Sequence, residues 1–177
     1  MSDFRAACAV GAILSVLAGC VAGTSDYAKD PYAVQALPPG AATCPATTEA
    51  ENAVGVAATN GARRAQGLPP VRSDMRLAQV AARHACDMAK RGRMTHIGSS
   101  TTGPGPRATA AGYMPLLTAE NIAAGPFTLD RVLGEWSRSS GHVANITIPQ
   151  VRDFGIGHAL AADGKTRFWA AVYGAPR

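Results

Sequence analysis

The chain contains serines, histidines and glycines of the types found in nucleophilic, metal and phosphate-binding sites. Their spacing fits none of the common motifs for such sites. Ser99 and Ser100 lie close to His96, as a nucleophile and its base could, although a serine-rich loop explains them more simply. The Gly-Pro-Gly-Pro run from Gly103 lacks the following lysine and helix of a phosphate-binding loop. A Gly-x-Ser-x-Gly elbow and a His-Glu-x-x-His helix are missing from the sequence.

Two further histidines have ordinary positions. His84 lies on the apolar stripe of a predicted helix, where a histidine is more often a satisfied residue at the edge of the core than a ligand. His158 follows a glycine in a predicted strand and could simply cover one face of a sheet.

The N-terminus is typical of an export signal. Arg5 supplies a positive charge, and the apolar run Ala6–Ala18 is too short to span a bilayer. The sequence Leu-Ala-Gly-Cys ending at Cys20 resembles a bacterial lipobox, so residues 1–19 are predicted to be a lipoprotein signal peptide and Cys20 to carry lipid. An ordinary signal peptide and a buried N-terminal helix are the alternatives. Residues 20–46 contain several prolines and no apolar period, which predicts a tether.

Cysteine usage agrees with an oxidising compartment. With Cys8 in the signal and Cys20 lipid-modified, Cys44 and Cys86 are left as a pair that we expect to form a disulfide. The alternative is two unpaired residues, with Cys86 simply buried. Closing a loop of this length stabilises a fold by roughly 4 kcal/mol in the chain-entropy model.

The formal charge of +5 would favour an anionic surface such as phospholipid headgroups or acidic envelope polymers. Basic residues are dispersed in pairs, as at Arg63-Arg64 and Lys90-Arg91, so nucleic acid is not an expected partner. Because 47% of residues are hydrophobic and only 16% are charged, a folded domain is expected.

Helical periodicity predicts three helices. A capping box that starts at Thr48 precedes the first, over Glu49–Gln66. The second begins after Ser73 or Asp74 and ends near Gly92, and Thr128 caps a third that Ser139-Ser140-Gly141 closes.

Near the C-terminus the hydrophobic period changes from that of a helix to that of a strand. Alternation over 154–160 and 167–173, around a turn at Asp163-Gly164, predicts a hairpin. The stretch His96–Pro126 is rich in glycine and proline, which predicts a loop with short extended pieces. Helices that flank an antiparallel sheet give an α+β domain.

Five short motifs follow one another along the chain. They are Arg63-Ala-Gln-Gly-Leu-Pro-Pro, Met94-Thr-His-Ile-Gly, Ala119-Glu-Asn-Ile-Ala, Trp136 with Gly141-His-Val-Ala-Asn-Ile, and Phe154-Gly-Ile-Gly. In this order they resemble the bacterial branch of the CAP superfamily, which comprises cysteine-rich secretory proteins, antigen 5 and pathogenesis-related 1. The resemblance implies an SCP-like domain over residues 47–177, built as a three-layer α-β-α sandwich with a central antiparallel sheet.

The resemblance also implies a cleft lined by two histidines and two acids. His96 and His142 match the histidines, and Glu120 matches the first acid. The second acid is missing, because Ser139 stands where eukaryotic relatives have glutamate. Glu135 lies one helical turn earlier and is the candidate substitute.

Three neighbouring residues have structural roles in this interpretation. Trp136 is expected to anchor the core. Asn121 and Asn145 are expected to bond to backbone groups in turns.

Two neutral imidazoles and a carboxylate can hold zinc or another divalent cation with a water in the open position. Zinc would lower the pKa of that water towards neutrality, with Glu120 as ligand or general base. The alternative is a hydrogen-bonded network of His96, Glu120 and His142 that fixes loops and requires no cofactor.

The sequence therefore predicts an exported protein, lipid-anchored to the bacterial envelope, at the outer membrane or periplasm if the cell is Gram-negative. Its predicted role is non-catalytic binding of an envelope glycan, lipid or protein. A metal-dependent, peptidase-like hydrolase that uses the same cleft is the competing hypothesis.

Overall fold

The computed structural model describes residues 30–177, so the predicted signal peptide and Cys20 lie outside the described residues. The helices in this part of the chain are α1 (Glu49–Ala65), α2 (Met75–Arg91), α3 (Pro104–Ala110), α4 (Leu129–Arg138) and α5 (Ser140–Ile146). The strands are β1 (Val34–Gln35), β2 (Ala42–Thr43), β3 (Arg72–Ser73), β4 (Arg93–Met94), β5 (Pro115–Gly125), β6 (Asp153–Ala161) and β7 (Arg167–Pro176). None of the helices within residues 30–177 is long and apolar enough to cross a bilayer.

Local sequence determines where the long helices begin and end. The Thr48 hydroxyl accepts the Glu51 N–H while the Glu51 carboxylate accepts the Thr48 N–H, which is the predicted capping box. Asp74 caps α2 by accepting from two backbone N–H groups, and Gly92 ends it in a left-handed conformation with φ of 62°. The predicted bounds of both helices are confirmed to within a residue.

The central sheet has the strand order β2-β6-β7-β5, with antiparallel neighbours throughout, and β3 adds a short parallel pairing to β6. The predicted C-terminal hairpin is confirmed as β6 and β7. Among residues 30–177 strand β5 pairs with β7 alone, and it forms one edge of the sheet. Strands β1 and β4 pair with each other as a separate two-stranded ribbon.

Helices cover both faces of the sheet, so the predicted α+β three-layer sandwich is confirmed. One core joins α2 and α3 to the sheet and includes Leu77, Met88, Ala108, Phe168 and Val172. The second core joins α1, α4 and α5 to the opposite face and includes Val132, Trp136, Phe154, Ile156 and Tyr173.

Strand β6 lies unusually close to α2. A Cβ at Gly155 or Gly157 would overlap the backbone of Ala78 or Ala82, so only glycine permits this spacing. The last of the five sequence motifs is therefore a packing motif.

The structure differs from the expected loop over 96–126. This stretch contains α3 and the eleven-residue strand β5, because its prolines and glycines lie at the ends of these elements. Helix α3 begins at Pro104, within the run that was expected to lack a following helix. Helix α4 ends before Ser139-Ser140-Gly141, as predicted, but a further short helix, α5, follows it directly.

The second half of the predicted tether also differs, because residues 30–46 lie against the domain. Strand β1 pairs with β4 and β2 pairs with β6. Ala36 and Leu37 donate their N–H groups to the Gly92 carbonyl, at 2.9 and 3.0 Å. The predicted disulfide between Cys44 and Cys86 is present and joins this segment to α2. Prolines exclude long elements here, but they do not prevent single backbone bonds and a covalent link.

Candidate functional site

His96 follows β4 and is held at three points. Its backbone N–H donates to the Asp30 carboxylate at 2.6 Å, and its carbonyl accepts from the Arg107 guanidinium at 3.0 Å. Its ring Nδ1 lies 2.9 Å from Glu120 Oε2. Because an ionised carboxylate can only accept, Nδ1 donates, and in the neutral ring Nε2 is left as an acceptor. The side chain is 31% exposed, so the ring is fixed in orientation yet open on one side.

Asp30 was not a predicted site residue. Its carboxylate accepts from the Thr95 hydroxyl at 2.7 Å as well as from the His96 and Tyr32 N–H groups. Burial alone would raise the pKa of Asp30, but these hydrogen bonds outweigh it and lower the pKa. Asp30 is therefore an ionised clamp on the loop that carries His96, and no local sequence pattern distinguishes it.

Glu120 lies in the middle of β5 with its side chain fully buried. Its Oε1 accepts from the Arg107 guanidinium at 2.6 Å, and its Oε2 accepts from His96 Nδ1. His84 Nε2 lies 3.6 Å from Oε2, which is near enough for charge but too far for a hydrogen bond. Burial would raise the pKa of Glu120, but His84, His96 and Arg107 together lower it, so the carboxylate is ionised. Both of its oxygens are committed to other side chains.

His84 is buried, as expected for a core histidine, and burial lowers its pKa. Its Nε2 lies 2.8 Å from the Thr95 carbonyl, to which it can only donate. His84 and Arg107 thus extend the Glu120 cluster beyond the predicted residues. The helical stripe in the sequence marked His84 as a core position, but it gave no sign of its neighbours.

His142 lies on α5 and faces the same cleft, with fewer attachments. Its ring is tilted against Trp136 with centroids 6.2 Å apart, and its buried Nδ1 has no partner among the described residues. Burial, and then the nearby His96, lower the pKa of His142. Its carbonyl accepts from the Asn121 amide at 3.3 Å.

The asparagines and the tryptophan join the helices to the edge of β5. The Asn145 amide donates to the Glu120 carbonyl at 3.1 Å, and the Trp136 indole donates to the Ile122 carbonyl at 3.4 Å. Trp136 is also a core residue, as expected. The asparagine bonds cap the sheet edge and an adjacent helix rather than turns.

Ser139 and Glu135 both line the cleft. Glu135 is bound to Arg131 at 2.8 Å and to Arg138 at 3.2 Å, and these bonds, that to Arg131 first, lower its pKa. The candidate substitute for the missing acid is thus present at the cleft, with its charge already paired.

The cleft runs along the free edge of β5 and has a volume of about 780 Å³. The ribbon forms one side and α4 and α5 form the other. Its apolar lining comprises Pro31, Tyr32, Val34, Met94, Ile122, Ala123, Ala124, Phe127 and Trp136. Its polar lining comprises His96, Glu120, Glu135, Ser139, His142 and Asn145, with Gly141 beside them.

Two other candidates lie elsewhere. Ser99 and Ser100 line a separate pocket of about 220 Å³ between α2 and α3, and Ser99 N–H donates to Asp87 at 3.0 Å. His158 is half-buried against Trp169, with ring centroids 4.7 Å apart. Neither serine lines the cleft.

The cleft residues do not form a ready metal site. Within residues 30–177 no group of three or more histidine, cysteine, aspartate or glutamate side chains is placed to hold one. Glu120 would have to leave Arg107 or His96 to become a ligand, which leaves His96 Nε2 and the His142 ring as available donors. The residues as they stand do not fit a three-ligand zinc site, and a metal bound through all three stays a prediction.

Comparisons with known proteins agree with this fold. Residues 56–173 match the Cysteine-rich secretory protein family, CAP. The uncharacterized protein YkwD of Bacillus subtilis (strain 168) is 29% identical over 141 residues, which are 76% of this chain and 55% of that protein. The chain therefore spans about half the length of this relative.

Two solved structures share the fold. An extracellular SCP-domain protein from Bacillus anthracis str. Ames has a TM-score of 0.62 and 26% identity, over 71% of this chain and 40% of that one. An outer surface protein from Borrelia burgdorferi has a TM-score of 0.64 and 21% identity, over 74% of this chain and 96% of that one. The family match covers most of the described residues. It includes His84, His96, Arg107 and Glu120 but not Asp30. The chain belongs to the Cysteine-rich secretory protein family.

Proposed function

We propose that this chain is an exported protein of the bacterial envelope, anchored by lipid at Cys20, that binds a ligand in its cleft without changing it chemically. The N-terminal signal and lipobox support the export and the anchor. Relatives described as extracellular and as an outer surface protein support the export.

The commitment of Glu120 is the observation that carries the non-catalytic part of the proposal. A general base must reach the proton that it removes. The Glu120 side chain is fully buried and bound to Arg107 and His96, so its charge orients the His96 ring instead. The geometry favours the His-Glu network over the hydrolytic site.

The cleft has the properties of a binding site. Its volume lies within the usual range for ligand pockets, roughly 300–1,000 Å³, and most of its lining is apolar. His96 Nε2 offers a fixed acceptor at the centre. A ligand with an apolar body and a hydrogen-bond donor fits this lining, as a part of an envelope glycan, lipid or protein would.

The binding proposal is tested with anilinonaphthalene sulfonate, a fluorescent probe with an apolar body and an N–H donor. We expect the wild-type chain to bind it and the double variant His96→Ala, His142→Ala to bind it about ten-fold more weakly, since two hydrogen-bonding rings are lost. His158→Ala removes a half-buried histidine outside the cleft and is the matched control.

Equal affinity of all three proteins, or no binding by the wild type, would contradict the proposal. An ester- or peptide-hydrolysing activity that a chelator abolishes and zinc restores would support the metal-dependent hydrolase instead. Absence of lipid from Cys20 in the exported chain, measured by mass spectrometry, would reject the anchor alone.

A further inference from the structure

The two sides of the cleft mouth differ in chemistry. The ribbon lip, which we define as Pro31, Tyr32 and Val34, exposes large apolar side chains: Tyr32 is 69% and Val34 is 52% exposed. Both of these side chains line the cleft, and Tyr32 meets the His96 ring edge-on with centroids 6.2 Å apart. A tyrosine and an aliphatic residue at a rim suit the boundary between headgroups and acyl chains.

The opposite side is charged. The helix lip, which we define as Arg131, Glu135 and Arg138, carries two exposed guanidinium groups and one acid bound to both. These three residues leave one positive charge, which the exposed Asp130 of the same helix offsets. Arg131 also lies over the Phe127 ring, 5.8 Å from its centroid, so cation and apolar surface are adjacent here.

The chain leaves the described domain from the ribbon lip. Asp30 is clamped beside His96, and nine residues lie between it and Cys20. The ten steps from Cys20 to Asp30 span at most about 35 Å when fully extended. A lipid on Cys20 therefore keeps the ribbon lip, and the cleft behind it, close to the bilayer.

We propose that the two lips form a docking surface for an anionic phospholipid bilayer, so that the mouth of the cleft faces the membrane. The apolar ribbon lip enters the headgroup region, and the two exposed guanidinium groups of the helix lip meet lipid phosphates. This rests on the proposed anchor and is independent of which ligand the cleft holds. The cleft would then take ligands that lie at the membrane surface.

The test uses the full chain reconstituted in vesicles of equal parts phosphatidylglycerol and phosphatidylethanolamine. A photo-crosslinking phenylalanine analogue replaces Tyr32 in one sample and Leu116 in another. Leu116 is the matched control, because it is 72% exposed, at the far end of β5 from the cleft. We expect lipid adducts by mass spectrometry from position 32 at a yield at least about five-fold above that from position 116.

Charge gives the second arm. Arg131→Gln with Arg138→Gln is expected to lower the adduct yield at position 32 about five-fold, as is added salt, since the helix lip loses its attraction for phosphate. Lys165→Gln, in the turn between β6 and β7, removes a cation away from the cleft and should leave the yield unchanged.

Equal yields at the two positions, or no adduct at position 32 from chains recovered with the vesicles, would overturn the docking proposal while leaving the anchor intact. Loss of the adduct in the double variant His96→Ala, His142→Ala would also overturn it, because the lipid would then be a cleft ligand. Retention of the adduct in that variant, with weaker probe binding, separates docking from ligand binding.

Discussion

The two cleft histidines are held in opposite ways. His96 is fixed by Asp30 at its N–H, by Arg107 at its carbonyl and by Glu120 at its ring. His142 belongs to a seven-residue helix, and its Nδ1 has no partner within residues 30–177.

This difference indicates which half of the cleft is preorganised. A ring whose proton and orientation are set in advance loses little freedom when a ligand binds, so it contributes to specificity. The His142 ring lacks such a set of bonds, because its buried Nδ1 has no partner within residues 30–177. We therefore regard His96 as the more firmly fixed half of the site.

Glu120→Gln is expected to have the largest effect on stability and on the fixed histidine, His96. The amide keeps the shape but removes the charge opposite Arg107, whose side chain is only 10% exposed. Leaving that cation buried and unpaired is expected to lower the free energy of unfolding by about 3–5 kcal/mol, as measured by urea denaturation. Hydrogen exchange at the His96 amide should accelerate with it.

Glu135→Gln is the matched control, because this acid also binds two cations but at the exposed helix lip. We expect little change in stability. A loss for Glu120→Gln no larger than that for Glu135→Gln would show that the buried cluster does not hold the site together.

Asp30→Asn tests whether the clamp acts on His96 alone, and its expected effect on stability is intermediate. It weakens hydrogen bonds to the His96 loop and is expected to cost about 1 kcal/mol. The pKa of Asp30 is lower in the folded state, so its contribution is present above the unfolded value of 3.8 and is lost as the pH falls through the folded-state pKa. Hydrogen exchange of the His96 amide should accelerate in the variant at neutral pH, whereas that of His142 should stay unchanged. Equal acceleration at both would contradict the clamp.

His142→Gln has the smallest expected effect. The folded-state pKa of His142 lies below 6.5, so the unfolded chain binds the proton first as the pH falls. The stability that comes from this difference in the pKa of His142 is fully present above pH 6.5 and declines below it. The variant should lose less stability than the wild type on acidification, and part of the slope should remain because burial also lowers the pKa values of His84 and His158. Identical slopes in urea titrations of both proteins would contradict it.

The sequence predicted the elements whose signals are local. The capping box at Thr48, the cap at Asp74 and the left-handed Gly92 define the bounds of α1 and α2. Strand β5 lacked such a signal, because Glu120 and Asn121 interrupt its apolar pattern. Both are buried, and their partners lie thirteen or more residues away along the chain, as Arg107 and Tyr173 do.

Only part of the site could be predicted from the sequence, again because the other part depends on distant residues. The resemblance identified His96, Glu120 and His142, which line one cleft. The roles of Asp30 and Arg107 became visible only in the folded structure. A clamp on a backbone amide and a buried guanidinium have no sequence signature. In the proposed function Arg107 binds the Glu120 carboxylate and Asp30 holds the His96 loop, so Glu120 would orient the ring rather than act as a general base.

The bond between Cys44 and Cys86 has a consequence for when the cleft is completed. A thiol pair oxidises outside the reducing cytosol, so with the proposed export the segment that carries Tyr32 and Val34 would be joined covalently to α2 only after translocation. Newly made chains in the cytosol would lack this link. The proposed binding surface would then be completed only in the compartment in which the protein is proposed to work.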